Sequence, residues 1–199
     1  MSPANHLEIQ RRVFTLATLR SRAPAAYHAF GTHSFTHEDI MTIKQGDKLP
    51  AGSFKVKTAD GMKDVSTDEI FKGKKVVLFS VPGAFTPTCS NQHLPSYLTN
   101  YDKVKAQGVD TIACMAVNDA FVMEAWGKDK GVGDKILMLA DGNGEYTKAL
   151  GLELDGSKFG LGSRGKRFSM IVKDGVVEKL NVDESGYALT SAEATCSIN

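Results

Sequence analysis

Beyond residue 40, apolar positions recur first at the spacing of strands and then alternately at that of helices and strands. Phe54, Val56 and Thr58 alternate with Lys55 and Lys57, Asp60-Gly61 supplies a turn, and residues 62–65 return, which predicts a β-hairpin. Ser66-Thr67-Asp68-Glu69 has the S-x-x-E pattern of a capping box ahead of Ile70 and Phe71, so a short helix follows and stops before Gly73. Next comes a nearly unbroken apolar run, Val76-Val77-Leu78-Phe79 within residues 75–80, as expected of a central strand covered on both faces. Residues 90–107 have helical character up to Gly108, with Pro95 bending the helix. Residues 111–117 form a second apolar strand, Asp119 caps a helix over 120–130, and 136–140 give a third core strand. A short helix over 145–150 precedes a second hairpin, 168–172 with 176–180, turning at Asp174-Gly175.

Helices between extended runs imply crossovers onto one sheet, and the two hairpins add antiparallel members. The expected fold class is therefore α/β, a mixed central sheet flanked by helices and entered through an N-terminal hairpin.

The first forty residues fit neither period. Residues 9–37 contain no acid, four arginines (Arg11, Arg12, Arg20, Arg22) and six Ser or Thr, which is transit-peptide composition. Drawn as a helix, Arg11, Thr15, Thr18 and Arg22 share one stripe, with Val13, Phe14, Leu16 and Ala17 on other faces and Arg20 interrupting them. Residues 1–40 are thus expected to be a mitochondrial leader that delivers the protein to the matrix, or else an extension without an address. Residues 41–199 form the domain, in which 20 basic side chains balance 20 acidic ones.

A net charge of +1 offers no basic field for nucleic acid, and no run approaches the length and apolarity of a membrane span, so neither partner is expected. Three cysteines, Cys89, Cys114 and Cys196, are too few for a secreted disulfide framework. There is no C-x-x-C, and the histidines lack metal-ligand spacing with the cysteines. Residues 160–165, Gly-Leu-Gly-Ser-Arg-Gly, match G-x-G-x-x-G but lead into a strand instead of opening a helix, so no dinucleotide site is expected. No metal or other cofactor is implied.

The chemistry concentrates in residues 80–92, where the central strand ends in a Pro/Gly loop that delivers Cys89 to the first turn of a helix. Unpaired N–H groups and the positive end of the helix dipole favour an anion there, and a thiolate is the species that benefits. Taken alone, Cys89 reads as a small buried hydrophobe. Its neighbours change that. Thr86, three residues earlier, is able to bring a hydroxyl to the sulfur and to an incoming oxygen, and Pro82, rigid and without N–H, is suited to wall the site from water. Thiolate attack on a peroxide O–O bond would yield a sulfenic acid and release water or an alcohol.

Pro82-Gly83-Ala84-Phe85-Thr86-Pro87-Thr88-Cys89 matches the P-x-x-x-T-x-x-C signature and resembles the active-site segment of peroxiredoxins. Val117-Asn118-Asp119-Ala120-Phe121-Val122, Ala125-Trp126-Gly127 and Lys166-Arg167-Phe168-Ser169-Met170 are similar, in the same order, to segments of the type II, or peroxiredoxin-5-like, subfamily. The resemblance implies a thioredoxin-like fold and a thiol-dependent peroxidase that reduces hydrogen peroxide and small organic hydroperoxides. It also implies Cys89 as the peroxidatic cysteine, Thr86 and Pro82 shaping its pocket, Arg167 as the active-site arginine, a homodimer, and thioredoxin or glutaredoxin with glutathione as reductant. A guanidinium suits that role, since it is permanently charged and is able to stabilise both a thiolate and a developing oxyanion. Without the motif, Arg167 reads as a solvated side chain at a strand edge.

Three routes stay open for reducing the sulfenic acid. Cys114 has a spacing and context similar to a second cysteine of plant-type members, yet sits in an apolar strand. Cys196 lies five residues beyond Ser191, the ungapped position of the resolving cysteine in animal members. The third route uses Cys89 alone with an outside thiol. The rival class is a thioredoxin-like binding or chaperone module without turnover.

Overall fold

The computed structural model describes residues 41–185 and 187–194, within a compact unit over 37–199. The proposed leader and Cys196 lie outside the described residues. Among the described residues nine strands appear in chain order: β1 (Ser53–Thr58), β2 (Gly61–Ser66), β3 (Lys75–Ser80), β4 (Thr111–Ala116), β5 (Leu137–Ala140), β6 (Glu153–Asp155), β7 (Ser163–Gly165), β8 (Phe168–Lys173) and β9 (Val176–Val182). The helices are α1 (Thr67–Phe71), α2 (Leu94–Thr99), α3 (Tyr101–Ala106), α4 (Ala120–Asp129) and α5 (Glu145–Ala149). Seven strands form one sheet in the order β2-β1-β5-β4-β3-β8-β9, while β6 and β7 pair separately. β3, β4 and β5 run parallel, and β1 and β8 join them antiparallel. This is the mixed sheet of a thioredoxin-like fold.

Side-chain alternation along β3 divides the interior. Val77 and Phe79 enter one apolar cluster with Leu94, Tyr97, Ile112, Cys114 and Trp126, whereas Val76 and Leu78 enter the other with Phe54, Phe71, Met115 and Phe168. All four β3 side chains have no exposed surface, which explains why this strand reads as continuously apolar. Local signals hold the ends in place. Ser66 and Glu69 form the capping box, with Ser66 N–H donating to Glu69 Oε2 at 2.7 Å. Asp119 accepts from Phe121 N and Val122 N, both at 2.9 Å. Asp174 and Gly175, at φ 48° and 77°, make the left-handed two-residue turn that matches the twist of β8 and β9.

One expectation needs correction, and one element goes beyond the sequence pattern. The helix over 90–107 is not one bent rod: a widened turn (Cys89–His93) leads into α2, and Asn100, at φ −100° and ψ 15°, separates α2 from α3. Pro95 acts upstream of itself. Lacking an N–H, it cannot bond residue 91, and Leu94 N–H instead reaches back five residues to the Cys89 carbonyl. The β6–β7 ribbon, carrying the Gly160–Gly165 stretch at its turn and second strand, was not foreseen, because three-residue strands are too short to show a period. Among the described residues no helix is long and apolar enough to cross a membrane.

Candidate active site

β3 continues to Val81, whose N–H bonds the Met115 carbonyl at 3.2 Å, and then the chain turns. Asn118, just past β4, holds the turn: its Oδ1 accepts from Ala84 N–H at 3.0 Å. Phe85 takes a left-handed conformation, φ 62°, that a non-glycine residue rarely adopts. Thr86 then closes the turn, donating its hydroxyl to the Gly83 carbonyl at 2.8 Å, while its own carbonyl receives Ser90 N–H at 2.9 Å. Pro87 opens the helical segment, where a missing N–H does least harm, and Cys89 falls in its first turn.

Cys89 and Arg167, 78 residues apart, meet through the antiparallel pairing of β8 with β3. Arg167 immediately precedes β8, and its Nη2 donates to Cys89 Sγ at 3.3 Å. The sulfur is 0% exposed and the guanidinium residue 1%, so the arginine is not the solvated edge residue that its neighbours Arg164 and Lys166 suggest. Arg167 Nη1 donates to His93 Nδ1 at 2.9 Å, and Nη2 also approaches the Tyr187 carbonyl at 3.4 Å. Arg167 Nε is buried and has no protein partner among the described residues. Pro82 is buried at the start of the loop, and Thr86 is half-buried.

Behind the arginine stand groups that sequence reasoning did not assign. His93 Nε2 contacts the Ala192 carbonyl at 2.8 Å, and burial, reinforced by the Arg167 charge, pushes its pKa down to about 3, so the ring is neutral. Tyr97 Oη donates to the same carbonyl at 3.0 Å. Asp183, whose N–H bonds the Arg167 carbonyl at 2.9 Å, receives Ser191 N–H and Ser191 Oγ, both at 2.7 Å. Burial pushes that carboxyl up, but bonds from Thr190 and Ser191 outweigh it and hold its pKa below the usual value. Only one clue was available: His93 follows Cys89 by four residues and so shares a helix face with it.

Cys114 lies on β4 opposite Phe79, in the same apolar cluster as Cys89. Both thiols are free. Burial, and secondarily the nearby Cys89, push the Cys114 thiol well up, so it is protonated at neutral pH. Trp126 is core, as its helical spacing suggests, and its indole N–H donates to Ser90 Oγ at 3.0 Å. A cleft of about 560 Å³ between β1, α3 and α4 includes neither Cys89 nor Arg167. No cluster of three or more metal-ligating side chains occurs among the described residues.

Residues 44–195 match the Redoxin family. The chain is 45% identical over 168 residues to Peroxiredoxin-2E, chloroplastic, from Arabidopsis thaliana, covering 82% of this chain and 71% of that protein. It is 49% identical over 158 residues to Peroxiredoxin-2E-2, chloroplastic, from Oryza sativa subsp. japonica, covering 77% and 70%. The crystal structure of reduced Prx3 from Vibrio vulnificus in complex with hydrogen peroxide superposes with a TM-score of 0.74 at 50% identity, covering 78% of this chain and 96% of that one. The chain belongs to the peroxiredoxins. This peroxiredoxin is a thiol-dependent peroxidase, an oxidoreductase of antioxidant defence, which selects the enzyme over the binding or chaperone module. The mitochondrial expectation is corrected: both of these plant relatives are chloroplastic. Acid-poor leaders rich in Arg and Ser serve both organelles, so composition did not separate them.

Proposed function

We propose that Cys89 is the peroxidatic cysteine and that Arg167, Thr86 and Pro82 complete its site. The observation that carries this reading is the 3.3 Å contact between Arg167 Nη2 and Cys89 Sγ inside a buried pocket. A guanidinium donor at this distance is the partner suited to a thiolate, the form in which a cysteine attacks a peroxide. The thiolate attacks the terminal oxygen of the hydroperoxide, an S–O bond forms as the O–O bond breaks, and Cys89 leaves as a sulfenic acid that keeps the attacked oxygen's hydrogen. The departing alkoxide or hydroxide takes a proton from solvent. Arg167 Nε, without a partner among the described residues, is suited to stabilise that oxygen as its charge develops. Thr86 Oγ1 has given its own proton to Gly83, so its lone pairs are available to accept from the hydroxyl being transferred. Complete burial of the sulfur favours hydrogen peroxide and small organic hydroperoxides over bulky ones.

An outside thiol then attacks the sulfenic sulfur, water leaves, and a second thiol releases Cys89; thioredoxin or glutaredoxin with glutathione fits this step. Cys114 enters as resolving residue only after partial unfolding of the Cys89 helical turn, because it is buried in the core as a protonated thiol. Cys196 is the alternative. Phe85 and Phe121, 53% and 61% exposed on segments joined through Asn118, support a homodimer face. Residues 1–40 are the leader, and the chloroplastic relatives support a plastid address. The decisive experiment treats the full chain with one equivalent of hydrogen peroxide. Oxidation mapped to Cys89 and abolished in Cys89→Ser is expected; equal peroxide consumption by both proteins would overturn the assignment. The mass of the product, Cys89 joined to Cys114, joined to Cys196, or a trappable sulfenic acid, separates the three routes.

A further inference from the structure

Arg167 meets the sulfur with Nη2 and His93 with Nη1. A guanidinium only donates, so His93 Nδ1 is the unprotonated ring nitrogen. The ring proton therefore sits on Nε2, aimed at the Ala192 carbonyl, which only accepts. The two partners leave a single tautomer. Groups facing the ring are Arg167 ahead of β8, Tyr97 and Phe79 from α2 and β3, and Asp183 beyond β9 at longer range. A charged imidazole would lose the bond to Arg167 and set two cations in contact.

Few side chains satisfy both neighbours. A carboxylate at this position would accept from Arg167 equally well, but its charge would cancel the guanidinium's field at the sulfur and compete with the thiolate for it. A neutral acceptor anchors the arginine and leaves the full positive charge directed at Cys89. The acceptor is in turn fixed from behind. Asp183 gathers Thr190 and Ser191 onto its carboxylate, and its N–H bonds the Arg167 carbonyl, so the segment carrying Ala192 is tied to the residue that His93 orients.

We propose that His93 is a positioning residue: its Nε2–H tautomer, selected by the Ala192 carbonyl, aims Arg167 at Cys89 without neutralising it. The C-terminal segment over 187–194 thereby helps set the reactivity of the sulfur. This rests on the assignment of Cys89 and Arg167 as the reacting pair.

The test compares the full-length wild type, His93→Leu and His93→Gln. Leucine removes both hydrogen bonds; glutamine keeps one acceptor and one donor on an uncharged group. Two rates are measured at pH 7, Cys89 oxidation by hydrogen peroxide and Cys89 alkylation by iodoacetamide. His93→Leu is expected to slow oxidation by roughly 10- to 150-fold, the equivalent of one charge-assisted hydrogen bond, and to slow alkylation as well. His93→Gln restores most of both rates. Wild-type rates in a folded His93→Leu variant would overturn the proposal. So would a folded His93→Gln variant that has lost both rates, an outcome that decides the matter even if the leucine variant fails to fold. Failure of the underlying assignment shows separately, as oxidation of the wild type that persists in Cys89→Ser.

Discussion

Arg167→Lys isolates what the forked side chain supplies beyond its charge. The guanidinium reaches Cys89 Sγ from Nη2 and His93 Nδ1 from Nη1, and its Nε has no partner among the described residues, which suits it to an incoming oxygen. An ammonium keeps the positive charge but has one nitrogen on a flexible stem, and it cannot aim donors at all three sites. Losing one charge-assisted bond to the developing oxyanion or the thiolate removes about 1.5–3 kcal/mol, a slowing of roughly 10- to 150-fold. Arg167→Met goes further, because it also removes the charge and leaves His93 Nδ1 as a buried acceptor without a donor, a penalty of about 1–3 kcal/mol. Release of a buried charge offsets part of that in stability but none of it in rate. The assay is the second-order rate constant for hydrogen peroxide, measured by competition with a haem peroxidase, alongside thermal unfolding. The order wild type, Arg167→Lys, Arg167→Met is expected for the rate. An Arg167→Lys variant within twofold of wild type would refute the reasoning, since it would mean that charge suffices and the fork geometry contributes nothing.

Acid should destabilise the fold through His93. The native ring resists protonation down to about pH 3, whereas the unfolded chain takes that proton near 6.5, so the unfolded state gains protons first and stability falls between those values by up to about 1.4 kcal/mol per pH unit. Asp183, held below its usual value, adds to the loss at the acid end of that window. Denaturant titrations at pH 7 and pH 5 should show a smaller difference for His93→Gln than for wild type; equal differences contradict the neutral buried ring. Phe121→Glu is expected to convert a dimer into a monomer by light scattering, because the substitution places like charges on the exposed apolar face proposed for dimerisation; an intact dimer excludes this face. Residues 1–40 fused to a fluorescent protein should enter plastids in a plant cell, and mitochondrial fluorescence would overturn the address.

Periodicity located the strands because β3, β4 and β5 are buried enough for their composition to follow burial, and caps located α1 and α4 because a side chain there bonds its own neighbouring backbone. These are local rules, and they are written locally. The pairing of Cys89 with Arg167 is different. It depends on register between β3 and β8 across the sheet, and only the family signature made it visible beforehand. His93 and Ala192 escaped for the same reason in stronger form: their partners lie 74 residues or more away, and Ala192 acts through its backbone carbonyl, for which any residue type would serve. The address of the proposed leader lay beyond this kind of reasoning, since bulk composition is shared between the leaders of different organelles.

The bond from the Trp126 indole to Ser90 Oγ joins the chain's single tryptophan to the residue beside Cys89. The molecule thus contains its own optical reporter. Sulfenic acid formation, or any opening of that turn on the way to a disulfide, should change the environment of this one indole, with no other tryptophan to mask it, so tryptophan-selective emission of the unlabelled protein is expected to follow each oxidation and reduction.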